Sequence, residues 1–274
     1  MPKGYSFLTG GGPGTASRFK KINMFKPFEK LNRQTFLILV IAQSAVALLA
    51  WQVSGQGLIP HPSAVLAALG QLLTTRLFAD NLLTSLLLTG QALLYAVIIT
   101  LVLSYGAVIP FLTPLAQFIV KCRYLTLTGL IFIFTLLTRD GSQLKLSLLL
   151  FGIVPFLVTS FLAVIVRTPA QEIELSQTLG YNRWQSLYEV IIIGKADQVF
   201  EVVRQNFAIA WMMITMVEGL NMSEGGIGAL LIKYNKYNDL PHVLALQAVI
   251  FGIGLCLDYL LGTLRHWLFP YTKL

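Results

Sequence analysis

Charge is what this chain of 274 residues has least of: Asp, Glu, Lys and Arg make up 12% of it, against 55% hydrophobic residues. That is too little to coat a soluble surface of this size, so the composition points to an integral membrane protein. Cysteine and histidine are also sparse, with two and three residues. Cys122 and Cys256 lie in separate apolar stretches, which argues against a disulfide framework and reads as two buried reduced thiols. His61 stands between two prolines with no second ligand near it, so it reads as a loop residue and no metal site is expected. No Gly-x-x-x-x-Gly-Lys-Ser/Thr run occurs, which excludes ATP binding by a P-loop in this chain. Without a nucleophile elbow or paired carboxylates in a plausible cleft, no catalytic residue is expected either. An internal repeat is missing too, which weakens the case for a carrier built from inverted halves.

Basic residues are concentrated where the chain starts. Residues 1–34 hold Lys3, Arg18, Lys20, Lys21, Lys26, Lys30 and Arg33 against Glu29 alone, and they abut an apolar run. Positive-inside topology explains this better than nucleic-acid binding, so the segment is expected in the cytoplasm, against anionic lipid. Residues 1–17 are glycine-rich and lack the apolar core of a signal peptide, so the first span is expected to act as an uncleaved insertion signal.

Residues 35–274 read as six transmembrane helices. The apolar runs are 35–53, about 81–104, 115–137, 147–166, 207–220 and 241–264. A short amphipathic helix over 63–77 lies between the first two, and a break falls between Ser104 and Pro114. Arg265, His266 and Lys273 keep the C-terminus on the same side as the N-terminus. Four ionisable or polar residues stand out in or beside the spans: Lys121, Arg123, Glu218 and Asn221. Charges in a span are expensive and default to a functional reading. Lys121 and Arg123 either snorkel to the cytoplasmic headgroups or face an aqueous cavity that attracts an anion. Glu218 either makes a structural hydrogen bond, to Asn221 or a neighbouring helix, or contacts a gate or substrate. Asp258 is expected to pair with Arg265 or a neighbouring helix.

One polar island, residues 168–194, interrupts the second half, with four basic and five acidic residues between Arg167 and Arg204. A neutral mixed surface suits protein contact. Thr168 is placed to cap a helix, with Pro169 at its first position and Gln171 completing a capping box. Gly180 ends that helix, and Asn182 caps a second one with Gln185 three residues on. In the second helix Trp184, Leu187, Tyr188 and Ile191 form one apolar stripe.

The run Glu174-Leu-Ser-Gln-Thr-Leu-Gly180, followed by Val190 and Ile192, resembles the cytoplasmic EAA loop of ABC importer permeases. Ala210-Trp211 with Glu218 seven residues on resembles the fifth span of the nitrate, sulfonate and taurine branch. Leu58-Ile-Pro60-His-Pro62 and Pro114-Leu-Ala-Gln117-Phe118 look like that branch as well. The chain departs from the pattern at Leu175 and Ser176, where the family has alanines, and at Ile193 and Asp197, where it has prolines.

The resemblance implies a six-span permease of the type I importer kind in a prokaryotic cytoplasmic membrane, with both termini inside. It implies a homodimer that docks ABC ATPase subunits through Glu174, Gly180, Tyr181, Asn182, Arg183 and Trp184 and takes substrate from an external binding protein. ATP and Mg would be bound by the ATPase partner, with no cofactor in this chain and no nucleic acid involved. The expected cargo is a small anion such as nitrate, bicarbonate or a sulfonate. A vitamin or pyrimidine precursor on the same fold, a secondary carrier or channel subunit, and an assembly protein with no transport path stay open as alternatives.

Overall fold

The computed structural model describes residues 32–53 and 60–270. The basic segment up to residue 31, Leu58 and Lys273 lie outside the described residues. Within them the chain is helical throughout, with no strand. It divides into two units, Met1–Ser54 and Gly55–Leu274. In the first, α1 (Arg33–Val53) is apolar along the stretch Gln34–Gln52 and buries no side chain there, as suits a helix surrounded by lipid.

The second unit is built on three long helices: α3 (Arg76–Gly106), α6 (Gly141–Val166) and α9 (Ala196–Leu220). α3 presents Ser85, Thr89, Ala92, Ala96, Thr100 and Ser104 inward, all buried and all small. Small side chains let two backbones approach closely where apolar burial gives little drive for helices to pair in lipid. Against them α6 sets Leu148, Leu149, Ile153, Leu157 and Phe161, and α9 closes the other side with Phe207, Ala210, Trp211, Ile214 and Val217. Pro155 removes one backbone bond within α6.

The remaining helices wrap this core. α2 (Pro62–Thr74), close to the short helix expected over 63–77, lays Val65, Ala68 and Leu72 on α11 (Leu240–Leu268). Asp239 accepts the backbone N–H of His242 at the start of α11. Ile227–Lys236 forms α10 on the flank of α9.

Among the described residues, four helices are long and apolar enough to cross a membrane: those at residues 34–52, 76–106, 141–166 and 240–268. The expected third span is not continuous. It is split into α4 (Thr113–Lys121) and α5 (Leu127–Leu137), bent by 115° across a short 3-10 turn at Cys122–Tyr124, and as a pair would make a fifth crossing. Lys121 and Arg123 stand at this break, both exposed; charges in the middle of a straight apolar span are costly, which disfavours a continuous helix here. α9 falls short of a span by composition, since Asp197, Glu201, Arg204 and Glu218 interrupt it.

Two cysteine expectations need correcting. Both thiols are free, but Cys122 is half-buried and Cys256 is exposed. An apolar run in a membrane chain faces outward as readily as inward, so hydropathy alone does not locate the protein interior.

Candidate functional site

α6 ends at Val166, and the chain turns through Arg167, Thr168 and Pro169 into α7 (Ala170–Thr178). Thr168 does not cap α7. Its hydroxyl is drawn back to the Val164 carbonyl at 3.3 Å, and Pro169 takes the cap position with no side-chain bond. The residue before a proline is pushed out of the helical region, which shifts the start of α7 by one.

The other end of α7 matches the expectation. Gly180 has φ +92°, a conformation open to glycine and strained for a side chain. The Gly180 N–H donates to Gln177 O at 3.0 Å and the Tyr181 N–H to Ser176 O at 3.1 Å, the paired bonds of a Schellman cap. Asn182 then opens α8 (Arg183–Ser186) with a complete capping box. The Gln185 N–H donates to Asn182 Oδ1 at 2.8 Å, and the Asn182 N–H to Gln185 Oε1 at 2.9 Å. The Ser176 and Ser186 hydroxyls, both buried, are 2.7 Å apart and hydrogen-bonded, which ties the two short helices together.

From Leu187 to Ile193 the backbone is a π-helix, closed by the Gly194 N–H on Glu189 O at 2.9 Å. A Cβ on Gly194 would lie 2.6 Å from Val190 O, so the glycine is required by the wider turn. π segments are uncommon and gather at functional sites. The expected α-helical stripe does not survive it: Ser186 and Ile191 are buried, while Trp184 and Tyr188 stand 66% and 55% exposed. Lys195 clamps the segment to the first turn of α7 through Glu172, 2.8 Å away.

The hairpin thus gathers Glu174, Gly180, Tyr181, Asn182, Arg183 and Trp184 on one exposed knob at the end of the bundle, with Leu175 and Leu179 beside them. Behind it, charged groups join α9 to α11. Arg204 reaches both Asp258 oxygens at 2.8 Å and Glu201 at 2.7 Å, while Arg265 pairs with Glu201 at 2.9 Å and approaches Asp197 at 3.8 Å. Asp258 pairs with a neighbouring helix, one of the two partners expected for it; Arg265, the other, is two turns away on α11, while Arg204 faces it. Hydrogen bonds from Arg204 hold the Glu201 carboxyl below the usual glutamate range.

The expected path residues fall into two places. Lys121 lies exposed at the end of α4 on a groove of about 310 Å³ shared with Gln117, Val120, Thr159 and Leu162. Arg123 lies over the Tyr124 ring, 5.1 Å from its centre. Glu218 is far from both and completely buried: one oxygen accepts from Ser85 Oγ at 2.6 Å and the other from the Gly228 N–H at 2.8 Å. Asn221, instead of bonding Glu218, points its amide at Gly141 O, 3.4 Å away.

Lys145 is a further residue of this cluster that the sequence did not single out. It is 1% exposed and donates to Gly225 O at 2.8 Å. Along α6 it is fourteen residues from Thr159, about 21 Å at the helical rise, which separates the buried cluster from the Lys121 groove. Asn81 and Ser85, one turn apart on α3, were missed too. Two polar residues at that spacing beside an apolar run were the available signal.

Long apolar helices and a polar helical knob define a multi-pass helical membrane protein. No protein-family model matches the chain. Over 106 residues it is 29% identical to a protein of Methanocaldococcus jannaschii described as a putative ABC transporter permease protein, and the match takes in 39% of this chain. The matched stretch spans 40% of that relative's length. The chain is therefore similar, over part of its length, to a protein described as a putative ABC transporter permease.

Proposed function

We propose that the chain is the membrane-spanning permease subunit of an ATP-driven ABC importer. One observation carries this reading: a pair of short helices, capped on both sides of Gly180 and bonded to each other, displays Leu175, Leu179, Tyr181, Trp184 and Tyr188 at the end of an apolar bundle. Large apolar side chains on a rigid polar knob suit a protein partner, and the partial similarity to a protein described as a putative ABC transporter permease supports an ATPase in that place. ATP and Mg belong to the partner, and this chain is non-catalytic.

The direction of the helices supports six crossings. Asn81 and Ser85 near the start of α3, and Lys145 near the start of α6, bond the same loop. α3 and α6 therefore run parallel, and the α4–α5 pair has to return the chain across the bundle despite its bend. With α1, α3, the bent pair, α6, α9 and α11 as spans, both termini and the hairpin lie in the cytoplasm of a prokaryote. Two copies would enclose the path, fed by an external binding protein. The exposed Lys121 and Arg123 at the bend favour a small anion of the nitrate, bicarbonate or sulfonate kind.

Copurification from native membrane tests the reading. An ATP-hydrolysing subunit should accompany the intact chain and be lost from a Trp184→Glu/Tyr188→Glu variant that still inserts. A chain that purifies without an ATPase, and transports without ATP, would remove the proposal.

A further inference from the structure

Residues 222–228 join α9 to α10 at the end of the bundle opposite the hairpin. Four side chains from three helices hold this loop by its backbone. Asn81 Oδ1 accepts the Gly226 N–H at 2.6 Å, and Ser85 Oγ accepts the Ile227 N–H at 2.8 Å while donating to Glu218. Glu218 accepts the Gly228 N–H, and Lys145 donates to Gly225 O. An anion and a cation, both buried, thus grip one loop three residues apart. Gly225 and Gly226 have φ +71° and +108°, and a Cβ on Gly226 would collide with the Glu218 carboxylate, so the loop is shaped to let that carboxylate in.

Apolar packing would fix a loop at lower cost, because taking a charged group out of water carries a desolvation penalty that hydrogen bonds only partly offset. Charged groups inside a membrane bundle mark function more often than support. Such hydrogen bonds are directional and lost over about 1 Å of displacement, which suits a contact that must break and reform.

The same helix serves both ends. The hairpin feeds through the π segment into the start of α9, and Glu218 sits 22 residues along it, about 33 Å away. A tilt of about 3° over that length moves the carboxylate by about 1.7 Å, enough to part it from Ser85 and Gly228.

We propose that residues 222–228 form a latch closing the end of the bundle opposite the docking hairpin, held by Asn81, Ser85, Lys145 and Glu218, and that α9 is the rod that releases it. The latch stands on the geometry alone; its drive by the hairpin rests on the functional reading above.

The full chain tests the latch, with Cys122→Ser, Cys256→Ser and the reporter Ile227→Cys, in proteoliposomes exposed to a membrane-impermeant maleimide. Ile227 is 1% exposed, so a closed loop hides the thiol. Lys145→Met and Glu218→Gln should each speed labelling at least tenfold in chains that remain monodisperse. Ser85→Ala, a change of one atom, should do so by a smaller factor. Equal rates in the parent and all three variants would overturn the latch. In membranes containing the copurified ATPase, ATP should raise labelling, and Gly180→Pro should abolish the rise. Active ATP hydrolysis with labelling unchanged would overturn the drive, whereas absence of any ATPase would count against the functional reading and leave the proteoliposome result standing.

Discussion

Ser176 and Ser186 meet hydroxyl to hydroxyl at 2.7 Å between the two short helices of the knob, both shut off from solvent. Ser176 stands where the ABC permease pattern has an alanine, and it also donates to Ile173 O at 2.7 Å. A residue that departs from the pattern thus supplies a bond across the hairpin.

Replacing Ser186 alone by Val should loosen the hairpin by about 1 kcal/mol, the net worth of the lost hydrogen bond, since Ser176 keeps Ile173 O as a partner. Ser176→Ala/Ser186→Ala together should cost less than Ser186→Val, because both partners are removed without added bulk. Amide exchange in residues 170–193 reads the difference, and unchanged exchange in Ser186→Val would show that the contact does not hold the helices together.

Gly180→Ala should destabilise the knob by about 1 kcal/mol, because its φ lies in the left-handed region. Gly180→Pro should do more, removing the N–H that bonds Gln177 O, and should uncouple ATP hydrolysis from transport while leaving insertion intact. ATP-dependent uptake at the parent rate in Gly180→Pro would contradict the docking role.

Glu201, bonded by Arg204 on its own helix and by Arg265 on α11, should tie α9 to α11 in a pH-dependent way. Glu201 titrates below its ordinary value of 4.5 chiefly because Arg204 hydrogen-bonds it. Its contribution to stability is therefore complete above pH 4.5 and fades as pH falls through the depressed value. Thermal melts at pH 7 and pH 4 should differ more in the parent than in Arg204→Met; an equal difference would assign the acid sensitivity elsewhere.

Lys121→Gln/Arg123→Gln should abolish uptake of the anion and spare insertion and ATPase binding. Full retention of uptake would mean that these side chains only reach toward headgroups.

Much of the hairpin was legible because its signals are local. Gly180, Asn182 and Gln185 act within a few residues of themselves, so spacing alone specifies the Schellman cap and the capping box. Thr168 misled because its hydroxyl could accept from a backbone N–H of the next helix or donate to a carbonyl of the preceding one, and it is drawn back to donate to Val164 O. Trp184 to Ile191 misled through the assumed 3.6-residue period, which the π segment breaks. The Glu218 cluster was out of reach for another reason: Ser85, Lys145 and Gly228 are brought to it only by helix packing, with the Ser85 contact spanning 133 positions. Hydropathy located the apolar runs but not the bend at Cys122–Tyr124, since a broken helix and a straight one can share one composition.

Each residue of a π-helix turns the chain through less than the roughly 100° of an α-helix, so excising one residue between Leu187 and Ile193 would let the backbone close to ordinary α spacing with Trp184 and Trp211 aimed nearly as before. Excising one from α9 beyond it has no such reserve, and would swing Trp211 and its neighbours out of their seats against α6 or rotate the knob instead. The π stretch is thus where the chain can absorb a change of length between knob and bundle.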